Sequence, residues 1–476
     1  MKKILERSVI EKARDLRAGE YSAVELTAAY LDNIEECDEK IGAYLFCDRK
    51  LSLDMAKRAD DMLKGGDAPL LCGIPFGVKD NICTAGIPTT AASKMLEGYI
   101  PPYSATAYER LERAGAVLLG KTNMDEFGMG SSTENSAYKI TKNPNDLRRT
   151  PGGSSGGSAA AVSANTAAFA LGSDTGGSVR CPAAYCGCVG LKPTYGAVSR
   201  YGLIAFSPSL EQIGPLTRTV RDNALVFEAI SGKDPKDPTT KDRIGDTLAG
   251  LESGVKGVRI GIARELADSN ASAETKEAIF SAARALEKEG ATIVDISLPS
   301  LELATAAYYI ISSAEASSCL ARYDGVRFGH RTKKECQTVE ELFRESRSEG
   351  FGKEVKRRIL LGTFVLSEGS YDDYYKNATR VRGLVKRDYD CAFKSCDVIL
   401  SPVCPDKAPF IGEEKDPVDV YLMDKFCVGA NLAGIPALSV PCKKSAEGLP
   451  VGMQLTAPFG GENILYRVAR AYEVIR

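Results

Sequence analysis

The chain has 476 residues, 44% hydrophobic and 26% charged, with a formal net charge of −2 at pH 7. That is globular composition with enough length for a large core, and it lacks the basic excess of a nucleic-acid-binding surface. Its single histidine, His330, means that a Ser-His-Asp triad, a Cys-His dyad or a multi-histidine metal site would have to use that residue or be absent.

The opening MKKILERSVIEKARDLRAG breaks its apolar run at Glu6 and Arg7, so it has no signal-peptide core. No stretch approaches the roughly 18 uninterrupted apolar residues of a membrane span, and a cytoplasmic protein is expected. Ser22-Ala-Val-Glu25 has the pattern of a capping box and opens a helix predicted over 23–36. A second helix is predicted over 53–63, ending at Gly65-Gly66. Residues 69–78 (PLLCGIPFGV) read as an apolar strand, broken by Gly73 and Pro75, that delivers Lys79, Asp80 and Asn81. A helix over 106–113 and a buried strand over 116–119 continue an α/β alternation. Gly115 to Thr122 matches the spacing of a phosphate-binding loop, which would make the chain a nucleotide binder. The four residues between its glycines are Ala-Val-Leu-Leu, however, the buried strand itself, so no phosphate cradle is expected.

Residues 152–193 carry two Gly/Ser clusters, GGSSGGS and GSDTGGS, separated by an Ala-rich apolar link. Glycine lets backbone N–H groups turn toward a ligand, and serine is a nucleophile when a base removes its proton. Successive N–H groups of Thr175, Gly176, Gly177 and Ser178, leading into a helical run, could form an oxyanion hole. Asp174 and Arg180 flank that turn and are expected to pair and fix its geometry. With histidine nearly absent, a lysine held neutral by burial is one candidate base, and Lys79 ends an apolar run. The plainer alternative for Lys79 is an ion pair with Asp80.

Downstream, residues 231–240 form a polar connection, followed by a strand over 258–263, a helix over 275–289 and a strand over 291–296. Residues 301–393 are mainly helical, a strand is expected over 398–403, an apolar run covers 432–440, and a helix covers 463–475. No repeat is seen, and one large α/β domain over 1–476 is favoured. The fourteen cysteines show no Cys-x-x-Cys pair and are expected to be mostly small buried hydrophobes.

Lys79, the GGSSGGS cluster and the GSDTGGSVRCPA segment, in that order and spacing, resemble the amidase signature family. The resemblance implies a mixed central β-sheet covered by helices on both faces. It implies N-terminal helices over 1–66, a catalytic core over 67–235, and a helical insertion over 301–393 that contributes to the substrate pocket. It assigns Ser178 as nucleophile, Ser154 as a bridging serine after a cis peptide bond, and Lys79 as base. Ser155 is the neighbour most easily confused with Ser154. Further segments (121–138, 192–215, 308–331 and 356–369) are similar to the glutaminase subunits of tRNA-dependent amidotransferases. That branch implies glutamine bound by Tyr309, Arg358 and Asp424, with ammonia passed on to amidate Glu-tRNA(Gln); Asp-tRNA(Asn) as a second acceptor is left open. It also implies no cofactor in this chain, a B subunit that holds ATP, Mg and most of the tRNA contact, and a small C subunit. The alternative within the same fold is a stand-alone amidase acting on small amides.

Overall fold

A computed structural model describes residues 2–242, 245–266, 269–413 and 416–476. Eleven strands form one mixed sheet: β1 (Tyr44–Cys47), β2 (Pro75–Lys79), β3 (Val117–Thr122), β4 (Phe169–Asp174), β5 (Val189–Lys192), β6 (Gln212–Thr217), β7 (Arg259–Ala263), β8 (Thr292–Ile296), β9 (Val398–Pro402), β10 (Ala437–Lys444) and β11 (Pro450–Thr456). Their order is β1-β3-β2-β4-β6-β5-β10-β11-β9-β7-β8. Two parallel blocks stand in it. In one, β2 lies between β3 and β4; in the other, β7 lies between β8 and β9. Antiparallel strands join the blocks, with the β10–β11 hairpin between β5 and β9.

Every residue of β2, β3, β4, β5 and β6 is buried. Since successive side chains of a strand point to opposite faces, both faces of the sheet are covered there. Exposed residues return in β1 and β8, the edges. The stacked rings of Phe76 and Phe169, 5.1 Å apart, lie in the main core beneath β2 and β4. Residues 301–392 hold the helices Leu301–Leu320, Val339–Gly350, Lys353–Val365 and Asn377–Ala392, and the first, third and fourth of these pack into two further apolar clusters.

Local chemistry explains where elements begin and end. The Ser22–Glu25 capping box forms as expected, and Ser8–Glu11 makes a second one. The helix Ala23–Ile41 runs five residues past its predicted end, because Gly42, at φ 71°, supplies the stop. The predicted strand over 69–78 shrinks to β2. Pro69 and Gly73 (φ 77°) hold 69–74 in turns, with Cys72 and Ile74 N–H groups donating to Pro69 and Leu71 carbonyls. The Ala-rich link resolves into helix Gly156–Ser163 and β4. The run over 432–440 divides at Gly434 (φ 71°) between helix Val428–Ala433 and β10.

Gly120, Lys121 and Thr122 extend β3 beyond its predicted end. Lys121 is buried in the strand, with Nζ donating at 2.7 Å to the Ile82 carbonyl and to Thr89 Oγ1. The Gly-Lys-Thr run is therefore strand and structural polar network, not a loop. Nine of the fourteen cysteines are buried, and all are free thiols. Among the described residues no helix is long and apolar enough to cross a membrane. A Cβ on Gly120 would overlap the Phe46 carbonyl oxygen of β1. Gly120→Ala is expected to destabilise the protein by about 1–3 kcal/mol through displacement of that edge strand; a thermal melt of the variant reads the loss.

Candidate active site

Lys79 is the last residue of β2, a central strand, and is 0% exposed. Its Nζ lies 2.8 Å from Ser154 Oγ, 2.8 Å from Ser155 Oγ and 3.2 Å from the Ser173 carbonyl oxygen. Burial drives its pKa from the usual lysine range down to about 7, opposed by the more distant carboxylates of Asp125, Asp174 and Glu211. Each of those carboxylates has its own donors. Asp125 accepts from the Thr133 and Asn135 N–H groups, and Glu211 from those of Phe206 and Ser207. Asp80 instead faces Lys121, 3.8 Å away. The simple Lys79–Asp80 ion pair is thus replaced by a lysine surrounded by hydroxyls.

The two serines at 2.8 Å are not equivalent. Ser155 Oγ is 3.1 Å from the Ser173 carbonyl, which can only accept, and it accepts at 3.3 Å from the Ser173 N–H. Its one proton is thereby directed to Ser173, and toward Lys79 it acts as acceptor. A neutral lysine has two N–H bonds and one lone pair. With the N–H bonds on Ser155 Oγ and Ser173 O, the lone pair faces Ser154, whose hydroxyl proton it can receive. Ser154 follows a cis peptide bond from Gly153.

Ser178, 9% exposed, sits in the turn between β4 and helix Arg180–Cys186, and its carbonyl accepts from the Ser155 N–H at 3.0 Å. That bond ties the two Gly/Ser clusters together. The turn is clamped by a buried ion pair. Arg180 Nε and Nη2 donate to Asp174 Oδ2 and Oδ1 at 3.0 and 2.9 Å. Asp174 also accepts from the Gly177 N–H at 2.9 Å and the Val179 N–H at 3.1 Å. Burial pushes the Asp174 carboxyl up, but Arg180 outweighs it and holds the group well below the usual carboxylate range. The remaining Arg180 N–H groups reach the Cys427 carbonyl, Gln454 Oε1 and Asn431 Oδ1 at 2.9, 2.6 and 2.6 Å. The expected Asp174–Arg180 pair is present. Gly177 departs from the expected oxyanion set, because its N–H is engaged by Asp174 and shapes the turn. At φ 133°, with Cys427 where a Cβ would go, the position requires glycine.

Tyr309, Arg358 and Asp424 come together from three separate elements. The Tyr309 hydroxyl donates to Asp424 Oδ2 at 2.7 Å, and the Ser131 hydroxyl lies 3.0 Å from Asp424 Oδ1. Arg358, 3% exposed, stacks over the rings of Tyr309 and Tyr421 at 4.5 and 4.9 Å, while its Nε donates to Glu354 Oε1 at 2.7 Å. Burial pushes the Asp424 carboxyl up to about 6. This cluster borders both serine loops. Tyr308 packs where a side chain on Gly176 would go, Ser132 packs against Gly153, and Cys427 packs against Gly177. A buried guanidinium and a buried carboxylate can hold the two charged ends of an α-amino acid. Sequence reasoning misses Ser131, Glu354 and Tyr421. Ser131 lies within the segment 121–138, but its partner is 293 residues away. His330 lies elsewhere, with Nε2 2.9 Å from Glu349 Oε2. No group of three or more His, Cys, Asp or Glu side chains suited to a metal ion occurs among the described residues.

A family model described as Amidase matches residues 25–465. The A subunit of a glutamyl-tRNA(Gln) amidotransferase from Caldanaerobacter subterraneus subsp. tengcongensis is 55% identical over 460 residues, 96% of this chain and 94% of that protein. The crystal structure of the corresponding A subunit from Thermotoga maritima is similar at a TM-score of 0.84 and 41% identity, covering 98% of this chain and 94% of that one. A peptide amidase from Stenotrophomonas maltophilia is similar at a TM-score of 0.83 and 32% identity, covering 98% and 96%.

Replacing Arg180 with Gln would leave Asp174 as a buried charge without its cation. A stability loss of about 3–5 kcal/mol is expected, measurable by denaturant unfolding. Asp174→Asn should cost a similar amount.

Proposed function

The chain belongs to the amidase family, and from that premise we propose that it is the glutaminase subunit of a tRNA-dependent amidotransferase. The observation that carries the reading is the buried pair Arg358 and Asp424 beside the turn that holds Ser178. A fold shared with a peptide amidase leaves the substrate open. A site with one buried cation and one buried anion selects a substrate with both, and glutamine has them on its α-carbon. Asp424 accepts only neutral hydroxyls from Tyr309 and Ser131, so the substrate's ammonium supplies its counter-charge. The outer nitrogens of Arg358 take the α-carboxylate. The amidotransferase relatives agree with this reading.

Neutral Lys79 takes the Ser154 proton as Ser154 takes the proton of Ser178. Ser178 Oγ then attacks the side-chain amide carbon of glutamine. The oxyanion rests on the N–H groups of Thr175, Gly176 and Ser178. The proton returns through Ser154 to the amide nitrogen, the C–N bond breaks, and ammonia departs. Water, activated along the same relay, attacks the ester on Ser178 and releases glutamate. Ser155 acts beside this relay, holding one Lys79 N–H so that the lone pair stays on Ser154.

The ammonia goes to a B subunit, which uses ATP and Mg to activate and amidate Glu-tRNA(Gln), with a small C subunit completing a cytoplasmic heterotrimer. The near-neutral charge of this chain fits tRNA contact made mainly through the partner.

Ser178→Ala is expected to abolish glutaminase activity and covalent labelling by an acylating amide. Lys79→Ala should reduce kcat by at least about a thousandfold, as expected for loss of the base. Wild-type turnover by the Ser178 variant would refute the mechanism. So would robust turnover of simple amides with none of glutamine refute the substrate. The base must be unprotonated, so kcat/KM should rise about tenfold per pH unit between about 6 and about 7, level off above that, and fall more steeply below about 6, where Asp424 also becomes protonated. The three carboxylates that face Lys79 (Asp125, Asp174 and Glu211) set how far that limb lies from the value burial alone would give.

A further inference from the structure

The segment 121–138 contains a buried acidic residue with no part in the relay. Glu126 is 2% exposed. Its Oε2 accepts from the Gly352 N–H at 2.7 Å, and its Oε1 accepts from the Ser93 hydroxyl. Gly352 is the N-cap of helix Lys353–Val365, the helix that carries Arg358, and it has no side chain with which to cap. A carboxylate at a helix N-terminus satisfies an orphan N–H and complements the positive end of the helix dipole. Glu126 supplies that cap from a segment more than two hundred residues earlier. A side chain on Gly352 would overlap Glu126 Oε2, so the contact leaves no slack.

The same helix is fixed further along. Gly362 sits against the Ser313 carbonyl of helix Leu301–Leu320, again with no room for a Cβ, and that helix carries Tyr309. On the other side of Glu126, the Asp125 N–H donates to the Ser154 carbonyl at 3.2 Å. Phe127 packs against Tyr323 and Phe351, with ring centres 5.1 and 5.8 Å away. Neighbouring residues thus make a backbone bond to the bridging serine and a side-chain bond to the Arg358 helix.

We propose that Glu126 is a specificity-determining positioning residue, which anchors the helix Lys353–Val365 and so sets the distance between Arg358 and the serine relay. The proposal rests on the reading of Arg358 as the carboxylate-binding residue. Glu126 touches neither substrate nor reacting atoms. Its effect is felt in how well glutamine's α-carboxylate is met when its amide lies on Ser178.

The test uses the full-length protein with whatever subunits co-purify with it. Glu126→Gln keeps the volume, loses the charge and leaves one oxygen for two donors. The expected result is a KM for glutamine raised about tenfold, with kcat within about twofold of wild type. The rate at which phenylmethanesulfonyl fluoride, which has no carboxylate, inactivates Ser178 should not change. Ser93→Ala, which leaves the Gly352 bond intact, should leave KM within about twofold. If Glu126→Gln does not fold, as judged by its melt, Gly352→Ala presses on the same carboxylate and should raise KM in the same way. An unchanged glutamine KM in the folded variant overturns the proposal, and so does a parallel fall in kcat and inactivation rate. Arg358→Gln, measured alongside, separates the two ideas. If it also leaves KM unchanged, the substrate reading fails. If it alone raises KM, only the role of Glu126 fails.

Discussion

The buried pair Asp174–Arg180 is the interaction on which the rest of the site depends. A charge taken into the interior is tolerated only when its hydrogen bonds are nearly all satisfied. Arg180 meets that condition by using its whole fork: Asp174, the Cys427 carbonyl, Gln454 and Asn431. Asp174 in turn holds the N–H groups of Gly177 and Val179. The shape of the Ser178 turn is therefore set by an ion pair whose own coordination comes from the far half of the chain.

Lys79 shows the complementary use of burial. Arg180 is kept charged by a carboxylate in contact; Lys79 is drawn toward neutrality because its immediate neighbours are hydroxyls and a carbonyl. The sheet makes both possible. β2 and β4 are adjacent and parallel, so their carboxyl ends deliver Lys79 and the Asp174 turn to the same edge of the core. The order of the strands thus brings a buried lysine and the serine turn to one place.

Much of this is legible in the sequence, for definite physical reasons. Capping boxes and glycine stops are local, so Ala273–Lys288 is read with small end errors and Ala23–Ile41 with its start correct but its end five residues short. Lys79 and Ser178 are picked out by context, the end of an apolar run and a glycine-rich turn, whereas Ser154 is told from Ser155 only by the resemblance to the amidase signature family. What stays hidden is pairing at long range. The buried strand β6 shows little alternation, since both its faces are covered. Glu354 and Tyr421 look like ordinary helix residues until Arg358 is seen between them. Gly177 is expected to face the oxyanion, but the Asp174 carboxylate reaches forward three residues and accepts its N–H.

The β10–β11 hairpin lies between the two parallel blocks of the sheet. Gln454, on β11, and Asn431, just before β10, complete the coordination of Arg180. During synthesis Lys79, Ser154 and Ser178 emerge from the ribosome more than two hundred residues ahead of these two. A chain of 430 residues would hold all three but neither side chain, leaving Arg180 with Asp174 and the Cys427 carbonyl. The Ser178 turn and the last strands of the sheet are thus one unit: the coordination of Arg180 is complete only when β11 is in place.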